Sequence, residues 1–230
     1  FLVGTTTGLT ASNLTVSGQT ASIQCSEGAG AFARVFPHNQ KADISRVTVN
    51  FKNLDFTGTD LAGGVVGRFF GVDPQIIDRM VNLNFNGNIS FKREKDTSTV
   101  LGGILGQTFM ASADYSPVFN NWNFIGGIQY SNTICDYGLS IVGGIVGHHF
   151  PDEKNTKVVT VANAKIVANI GIQECTSNLR DKRQLPWGLG LGSSRNPVNT
   201  FKINGLQVIG ELILNGSEKY TQVIGPIKID

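Results

Sequence analysis

Leu61-Ala62-Gly63-Gly64-Val65-Val66-Gly67 returns as Val100-Leu101-Gly102-Gly103-Ile104-Leu105-Gly106, and again as Ile141-Val142-Gly143-Gly144-Ile145-Val146-Gly147. The second glycines stand 39 and then 41 residues apart. Self-similarity at so regular a distance marks a repeat architecture, in which each unit is too small to bury its own apolar face and must stack on its neighbours. Weaker copies extend the series. Ala29-Gly30-Ala31-Phe32-Ala33-Arg34 lies upstream, with Gly30 matched to Gly64 and Arg34 to Arg68. Downstream, Trp187-Gly188-Leu189-Gly190 follows, with Gly188 matched to Gly144, and then Gln222-Val223-Ile224-Gly225.

Each glycine element follows a run in which apolar and polar residues alternate. Leu83-Asn84-Phe85-Asn86-Gly87-Asn88-Ile89-Ser90-Phe91 is the clearest, joined by Val49 to Gly58 and by Trp122 to Tyr130. Looser versions begin at Leu14, Ile166 and Ile203. Period-two alternation rich in β-branched and aromatic residues is the pattern of a strand with one buried and one wet face. A glycine inside each run marks a bend or bulge where the chain turns. Helical periodicity is confined to Asp73-Pro74-Gln75-Ile76-Ile77-Asp78-Arg79-Met80, where Asp and Pro suit a helix start of one or two turns.

The chain is therefore expected to be all-β and a single domain over residues 1–230: a parallel β-helix, or β-solenoid, of about six coils. Strands of successive coils would lie roughly 4.8 Å apart. Leu54, Ile89 and Ile128 would align in one inner column, and Val65, Ile104 and Ile145 in another. Gly63, Gly64, Gly67, Gly102, Gly103, Gly106, Gly143, Gly144 and Gly147 are the structural repeat glycines, needed for close packing at a corner or for positive φ. A β-sandwich is the competing architecture, but it gives no reason for the spaced recurrence of one glycine element. Length differences between copies would be absorbed in loops such as Lys92 to Asp96 and Arg180 to Arg183. The pattern runs to Asp230 without a closing cap, as expected of a segment of a longer chain.

The three glycine elements, each behind an alternating strand, resemble GLUG-type glycine-rich repeats, with the best match over residues 45–150. The resemblance implies a β-solenoid within a large secreted or surface protein, many of which are described as adhesin-like.

Composition narrows the function classes. Hydrophobic residues are 40% and charged residues 16%, with a net charge of +2 over 230 residues. That is too apolar for a disordered chain and too weakly basic for an electrostatic nucleic-acid binder. No apolar run reaches the ~18 residues of a membrane-spanning helix. The 28 glycines do not recur every third residue as in collagen.

Chemistry-bearing motifs are sparse. The glycine elements lack the Lys-Ser/Thr of a phosphate loop, and aliphatic residues stand where a calcium β-roll needs Asp. His148-His149-Phe150-Pro151-Asp152-Glu153 is the one His/carboxylate cluster, expected to be a polar turn, and His38 falls in a loop. Asp43, Asp55, Asp60, Asp73, Asp78, Asp96, Asp114, Asp136 and Asp152 are scattered, with no carboxylate pair of the kind that glycoside cleavage needs. No catalytic, cofactor-binding or metal-ligating residue is assigned. Asn13, Asn88 and Asn215 open glycosylation sequons; stacked Asn and Thr would alternatively form side-chain ladders. Cys25, Cys135 and Cys175 read as buried small apolar side chains, with a Cys135–Cys175 disulfide and a reactive thiol as alternatives.

These observations favour a non-enzymatic structural or adhesive β-solenoid module, extracellular or at a cell surface. Its partners would be other proteins or copies of itself, engaged through solenoid ends and outer faces, and glycans. The alternatives are a carbohydrate-active solenoid enzyme and an intracellular filament or lattice protein.

Overall fold

The structure is a computed structural model. It describes residues 3–5, 8–25, 28–36, 41–71, 73, 75–94, 97–110, 115, 117–132, 134, 140–151, 158–175, 187–194 and 201–222. Every regular element among them is a strand. In chain order these begin with β1 (Val3–Thr5), β2 (Leu9–Gln24), β3 (Ala29–Gly30) and β4 (Ala33–Phe36). Next come β5 (Ala42–Thr57), β6 (Leu61–Gly63) and β7 (Val66–Gly71), then β8 (Arg79–Arg93), β9 (Thr99–Gly102) and β10 (Leu105–Met110). They are followed by β11 (Val118–Asn132), β12 (Ser140–Gly143), β13 (Val146–Pro151), β14 (Val159–Gln173), β15 (Trp187–Gly188) and β16 (Leu191–Ser194). The last are β17 (Phe201–Asn204), β18 (Gln207–Ile209), β19 (Leu212–Leu214) and β20 (Glu218–Tyr220).

The chain winds through three walls in turn, and each wall is a sheet running from coil to coil. The long wall has the order β2-β5-β8-β11-β14 and then the segments β17, β18 and β19, with β20 beyond β19. The short wall is β3-β6-β9-β12-β15, and the third is β1-β4-β7-β10-β13-β16. All pairings between coils are parallel; only β19–β20 is antiparallel. This is a β-solenoid, not a sandwich. Three coils, β5–β7, β8–β10 and β11–β13, are of full length in every wall; beside them β2 and β14 are as long, but the strands of the short and third walls are shorter.

Alternation along the long strands decides which side chains fill the interior. Leu54, Ile89, Ile128, Ile170 and Leu212 stand in one fully buried column. Val49, Phe85, Phe124 and Ile166 form a second, in which the Phe85 and Phe124 rings stack at 5.3 Å. Burying each such side chain stabilises by about 2–3 kcal/mol, and ring stacking adds roughly 1 kcal/mol. Phe91 and Tyr130 repeat the arrangement at 5.5 Å.

The long strand is not straight. Asn13, Arg46, Asn82, Asn121 and Asn163 occupy one register position, each in the left-handed region with φ between 53° and 58°. Asn tolerates that region better than other non-glycine residues because its short amide bonds locally. Five residues further on, Gly87 and Gly126 make the second bend with φ of 132° and 149°. A Cβ at Gly126 would overlap the Gly87 carbonyl oxygen, and one at Gly87 the Phe51 carbonyl oxygen. Opposite Gly87 the register shifts between Phe51 and Asn53, the expected bulge.

The recurrent glycine element is the corner between the short and third walls. Gly63 ends β6, Gly64-Val65 turn the corner, and Val66 opens β7. The corner is itself a ladder: Gly64 N–H donates to the Gly102 carbonyl (3.1 Å), Val65 N–H to that of Ile104, and Ile104 N–H to that of Ile145 (both 3.0 Å). A side chain at Gly64 would overlap the Gly103 carbonyl, and one at Gly103 that of Gly144. None of these glycines has positive φ. Close backbone approach, not torsional freedom, is the reason for them.

Four expectations need correction. The weak copies are displaced by one residue: Gly30 pairs with Gly63 and Gly188 with Gly143, so Arg34 matches Gly67 and not Arg68. Gly67 must be glycine because a Cβ would press on the Ala29 oxygen of the preceding coil at 2.6 Å. Among the described residues no strand of the short wall precedes β3, so Arg34 escapes that constraint. The segment from Asp73 forms a single turn, with Asp73 accepting from the N–H groups of Gln75 (2.9 Å) and Ile76 (3.1 Å). Pairing of Arg79 opposite Asp43 then commits the chain to β8. Lys92 and Arg93 belong to β8, and Arg93 is buried. His148 and His149 lie in β13, not in a turn, and both are buried.

Candidate functional site

The outer face of the long wall carries the side chains that alternation turns away from the core. They pair along the axis. Asn86 Nδ2 donates to Asn50 Oδ1 (2.7 Å), Asn123 Nδ2 to Asn84 Oδ1 (2.9 Å), and Asn121 Nδ2 to Asn82 Oδ1 (3.0 Å). The ladder reading of the Asn-rich strands therefore holds at these positions. Where the long strand bends at Gly87, an open groove of about 470 Å³ forms between Asn50, Phe51, Lys52, Asn86 and the β2 residues Ser17 to Gln19. Phe51 is half-buried, its ring against Gly18, while Lys52 is exposed.

The third wall presents a different surface. Phe70, Phe109 and Phe150 share a register position, all half-buried: Phe109 stacks on Phe150 at 5.1 Å and meets Phe70 at 5.3 Å with the rings tilted by 50°. Arg68 lies over the Phe70 ring at 5.5 Å, and His148 meets Phe150 edge-on at 6.0 Å. His148 Nδ1 is 2.7 Å from Ser193 Oγ of the next coil. The signal was in the sequence: in all three strong copies a Phe stands three residues past the last glycine of the element.

His149 points the other way, into the core. Its Nδ1 bonds Thr108 Oγ1 at 2.6 Å, its ring lies 5.0 Å from that of Phe201, and its Nε2 is buried without a partner. Burial, with a smaller contribution from His148, pushes its pKa down to about 3. A buried histidine held neutral between Thr108 and Ser194 of the neighbouring coils is a packing residue.

Two buried polar clusters were not foreseen. Asp78 accepts from Ala42 N–H (2.5 Å) and from the Tyr115 hydroxyl. Burial raises its pKa, against the hydrogen bonds from Tyr115 and Ala42 and the charge of Lys41. The second runs through four coils. Tyr130 Oη lies 2.5 Å from Thr99 Oγ1 and donates to Ser140 Oγ (2.8 Å); Asn132 donates to Glu174, and Glu174 N–H donates to Asn215 Oδ1 (2.9 Å). Burial pushes Tyr130 up to about 12. Each group holds a neighbouring coil, and buried networks so satisfied rigidify a fold.

The remaining carboxylates are dispersed. Asp43 faces Lys41 (3.4 Å) and Arg79 (3.7 Å), Asp55 accepts from Ser90, and Asp60 from Thr97 (2.8 Å). Among the described residues no three His, Cys, Asp or Glu side chains converge as metal ligands would. His38, Asp152 and Glu153 lie outside the described residues.

Of the sequons, Asn13 and Asn88 are exposed, whereas Asn215 is half-buried and its amide oxygen is taken by Glu174 N–H. Cys175 is disulfide-bonded and Cys25 is a free, half-buried thiol. Cys135, its partner in the disulfide alternative, lies outside the described residues, as does Val223-Ile224-Gly225. Gln222 begins that last copy: its carbonyl accepts from Leu189 N–H at 2.9 Å, continuing the corner ladder. No helix among the described residues is long and apolar enough to cross a membrane.

No protein-family model, no curated protein and no solved structure matches the chain.

Proposed function

We propose that the chain is a non-enzymatic structural or adhesive β-solenoid module, extracellular or at a cell surface, that presents its outer faces rigidly to other proteins and to glycans. One observation carries this reading: the residues that recur from coil to coil are spent on holding coils together. The corner glycines touch backbone, the bend glycines touch carbonyls, and the Asn columns bond to one another. A fold that repeats its joints builds length and stiffness.

The disulfide at Cys175 supports an oxidising compartment, because structural disulfides persist there. Exposed Asn13 and Asn88 are compatible acceptors for glycosylation in a secreted chain. For contact, the outer faces offer the groove beside Phe51 and the Phe70–Phe109–Phe150 row. Aromatic edges flanked by amides suit sugar rings, which combine an apolar face with hydroxyls.

The test is incubation of the protein with a panel of soluble and immobilised polysaccharides, reading retention and reducing-end release together. Retention without release, weakened by Phe109→Ala or Phe51→Ala, is the expected result. Release of reducing ends would replace this reading with the carbohydrate-active enzyme. Full reduction of Cys175 in protein taken from its native source would replace it with the intracellular lattice component.

A further inference from the structure

We propose that Asn204 is a site of spontaneous modification, where the side-chain amide is lost as ammonia and aspartate or isoaspartate is left on the outer face of the rod. Asn followed by Gly occurs three times, at Asn86-Gly87, Asn204-Gly205 and Asn215-Gly216. In such a pair the glycine nitrogen can attack the side-chain carbonyl carbon, because no following side chain shields it. A C–N bond closes a five-membered imide, and the amide nitrogen leaves as ammonia. Water then opens the imide at either carbonyl. One opening gives aspartate; the other gives isoaspartate, whose main chain runs through the former side chain. Only water is consumed, so the reaction depends neither on compartment nor on the adhesive reading. Ring closure requires a free side chain and a backbone that can leave its strand conformation after the Asn.

Two of the three sites are locked. Asn86 and Gly87 lie in the middle of β8, laddered to Asn50 and Phe51 on one side and to Ile125 and Gly126 on the other. The Asn86 amide is also tied, donating to Asn50 Oδ1 at 2.7 Å. Asn215 is half-buried, its N–H donates to the Ile172 carbonyl (2.8 Å), and its Oδ1 accepts from Glu174 N–H (2.9 Å). Ser217 N–H closes that turn on the Leu214 carbonyl at 3.1 Å. Each bond that must open first raises the barrier to ring closure.

Asn204 has no such restraint. It is the last residue of β17 and is exposed on the outer face, since Phe201 and Ile203 take the inward positions opposite Val159 and Val161. Its partner in the column is Ala162, which has no polar group to bind an amide. Among the described residues no hydrogen bond holds the Asn204 side chain. The ladder to β14 stops at Asn204 and resumes at Gln207. Between them Gly205 is exposed in a turn with φ of 61°, next to Asn163 in the left-handed column. The product also fits there. Isoaspartate adds a methylene to the main chain, which the gap between β17 and β18 can absorb. Inside β8 the same addition would put every later residue out of register with both neighbours.

Peptide mass mapping of the 230-residue protein, held in mildly alkaline buffer, tests this. In the folded protein Asn204 should convert at least roughly tenfold faster than Asn86 or Asn215, because opening one hydrogen bond is worth about that factor. In denaturant the three should react alike, since only the fold distinguishes them. Gly205→Asn should slow conversion at Asn204 with unchanged circular dichroism. Asn holds the left-handed conformation at Asn82, Asn121 and Asn163, and its side chain shields the attacking nitrogen. Asn204→Gln leaves the turn untouched and should remove the main acidic species that the parent protein accumulates on isoelectric focusing. Equal rates at the three sites in the folded protein, or a lead of Asn204 that persists in denaturant, would overturn the proposal. So would undiminished conversion in folded Gly205→Asn, or a main acidic species that survives Asn204→Gln.

Discussion

The Tyr115 hydroxyl donates to the buried carboxylate of Asp78 across 37 residues of sequence, and the other oxygen of that carboxylate accepts from Ala42 N–H. One side chain thus ties together the starts of two successive long strands and the segment leading into a third. Because burial raises the Asp78 pKa, the folded protein holds that proton to higher pH than the unfolded chain does. Its contribution is complete below the ordinary carboxyl value and is lost as pH rises through the raised one. Asp78→Asn should therefore cost more at pH 4 than at pH 7 in paired denaturant titrations. Asp78→Ala leaves two buried donors without an acceptor and should cost about 2–3 kcal/mol more than Asp78→Asn, with the same pH dependence.

His149 has the opposite sign. Its folded pKa of about 3 lies below the ordinary value near 6.5, so the unfolded chain takes up a proton that the folded protein refuses. Stability from this residue is present above the unfolded value and falls as pH drops from 6.5 towards 3, by on the order of 4 kcal/mol. His149→Phe should remove that part of the acid limb and cost about 1–2 kcal/mol at pH 7, for the Nδ1–Thr108 Oγ1 hydrogen bond that it breaks. Unfolding free energy measured from pH 7 to pH 3.5 decides it; an unchanged acid slope in the variant counts against the assignment.

Adjacent glycines in β11 should respond very differently. A methyl at Gly126 would overlap the Gly87 carbonyl oxygen at a φ of 149°. The nearest atom to a methyl at Gly127 is Asn88 Oδ1, at 3.0 Å on a flexible side chain. Gly126→Ala should cost more than about 4 kcal/mol, and Gly127→Ala within about 1 kcal/mol of zero. Thermal melts of the pair check both.

Arg46 is the one non-Asn residue in the left-handed column of the long strands, with φ of 53°. Arg46→Asn or Arg46→Gly should stabilise by about 0.5–1 kcal/mol, because either tolerates that conformation better. Asn121→Ala, which also removes the bond to Asn82, should destabilise by about 1–2 kcal/mol. Equal effects at both positions would show that torsion is not the cause.

Much of the rod was legible because its requirements are local. Leu54, Ile89 and Ile128 could be aligned from alternation alone, and the structure aligns them. The bend glycines were legible too, since Gly87 and Gly126 interrupt otherwise unbroken alternation. The Asn of the left-handed column also recurs, just before the inward residues Leu14, Leu83, Trp122 and Ala164, but alternation by itself gives no sign of its positive φ. The outer copies were misaligned by one residue because Ala31 and Leu189 stand where the strong copies have their second glycine. The Tyr130–Ser140–Asn132–Glu174 network was invisible: its members come from separate coils and share no motif.

Alternation and glycine spacing were sufficient to specify stacked strands, a buried column for each inward position and a backbone contact at each corner. These depend on sterics and hydrophobicity within a few residues. Stacking register in the outer copies, the inward burial of His149, Asp78 and Arg93, and the antiparallel pairing of β20 with β19 were settled by folding. The first two depend on contacts between residues about 40 positions apart, whose relative free energies no single stretch of chain contains.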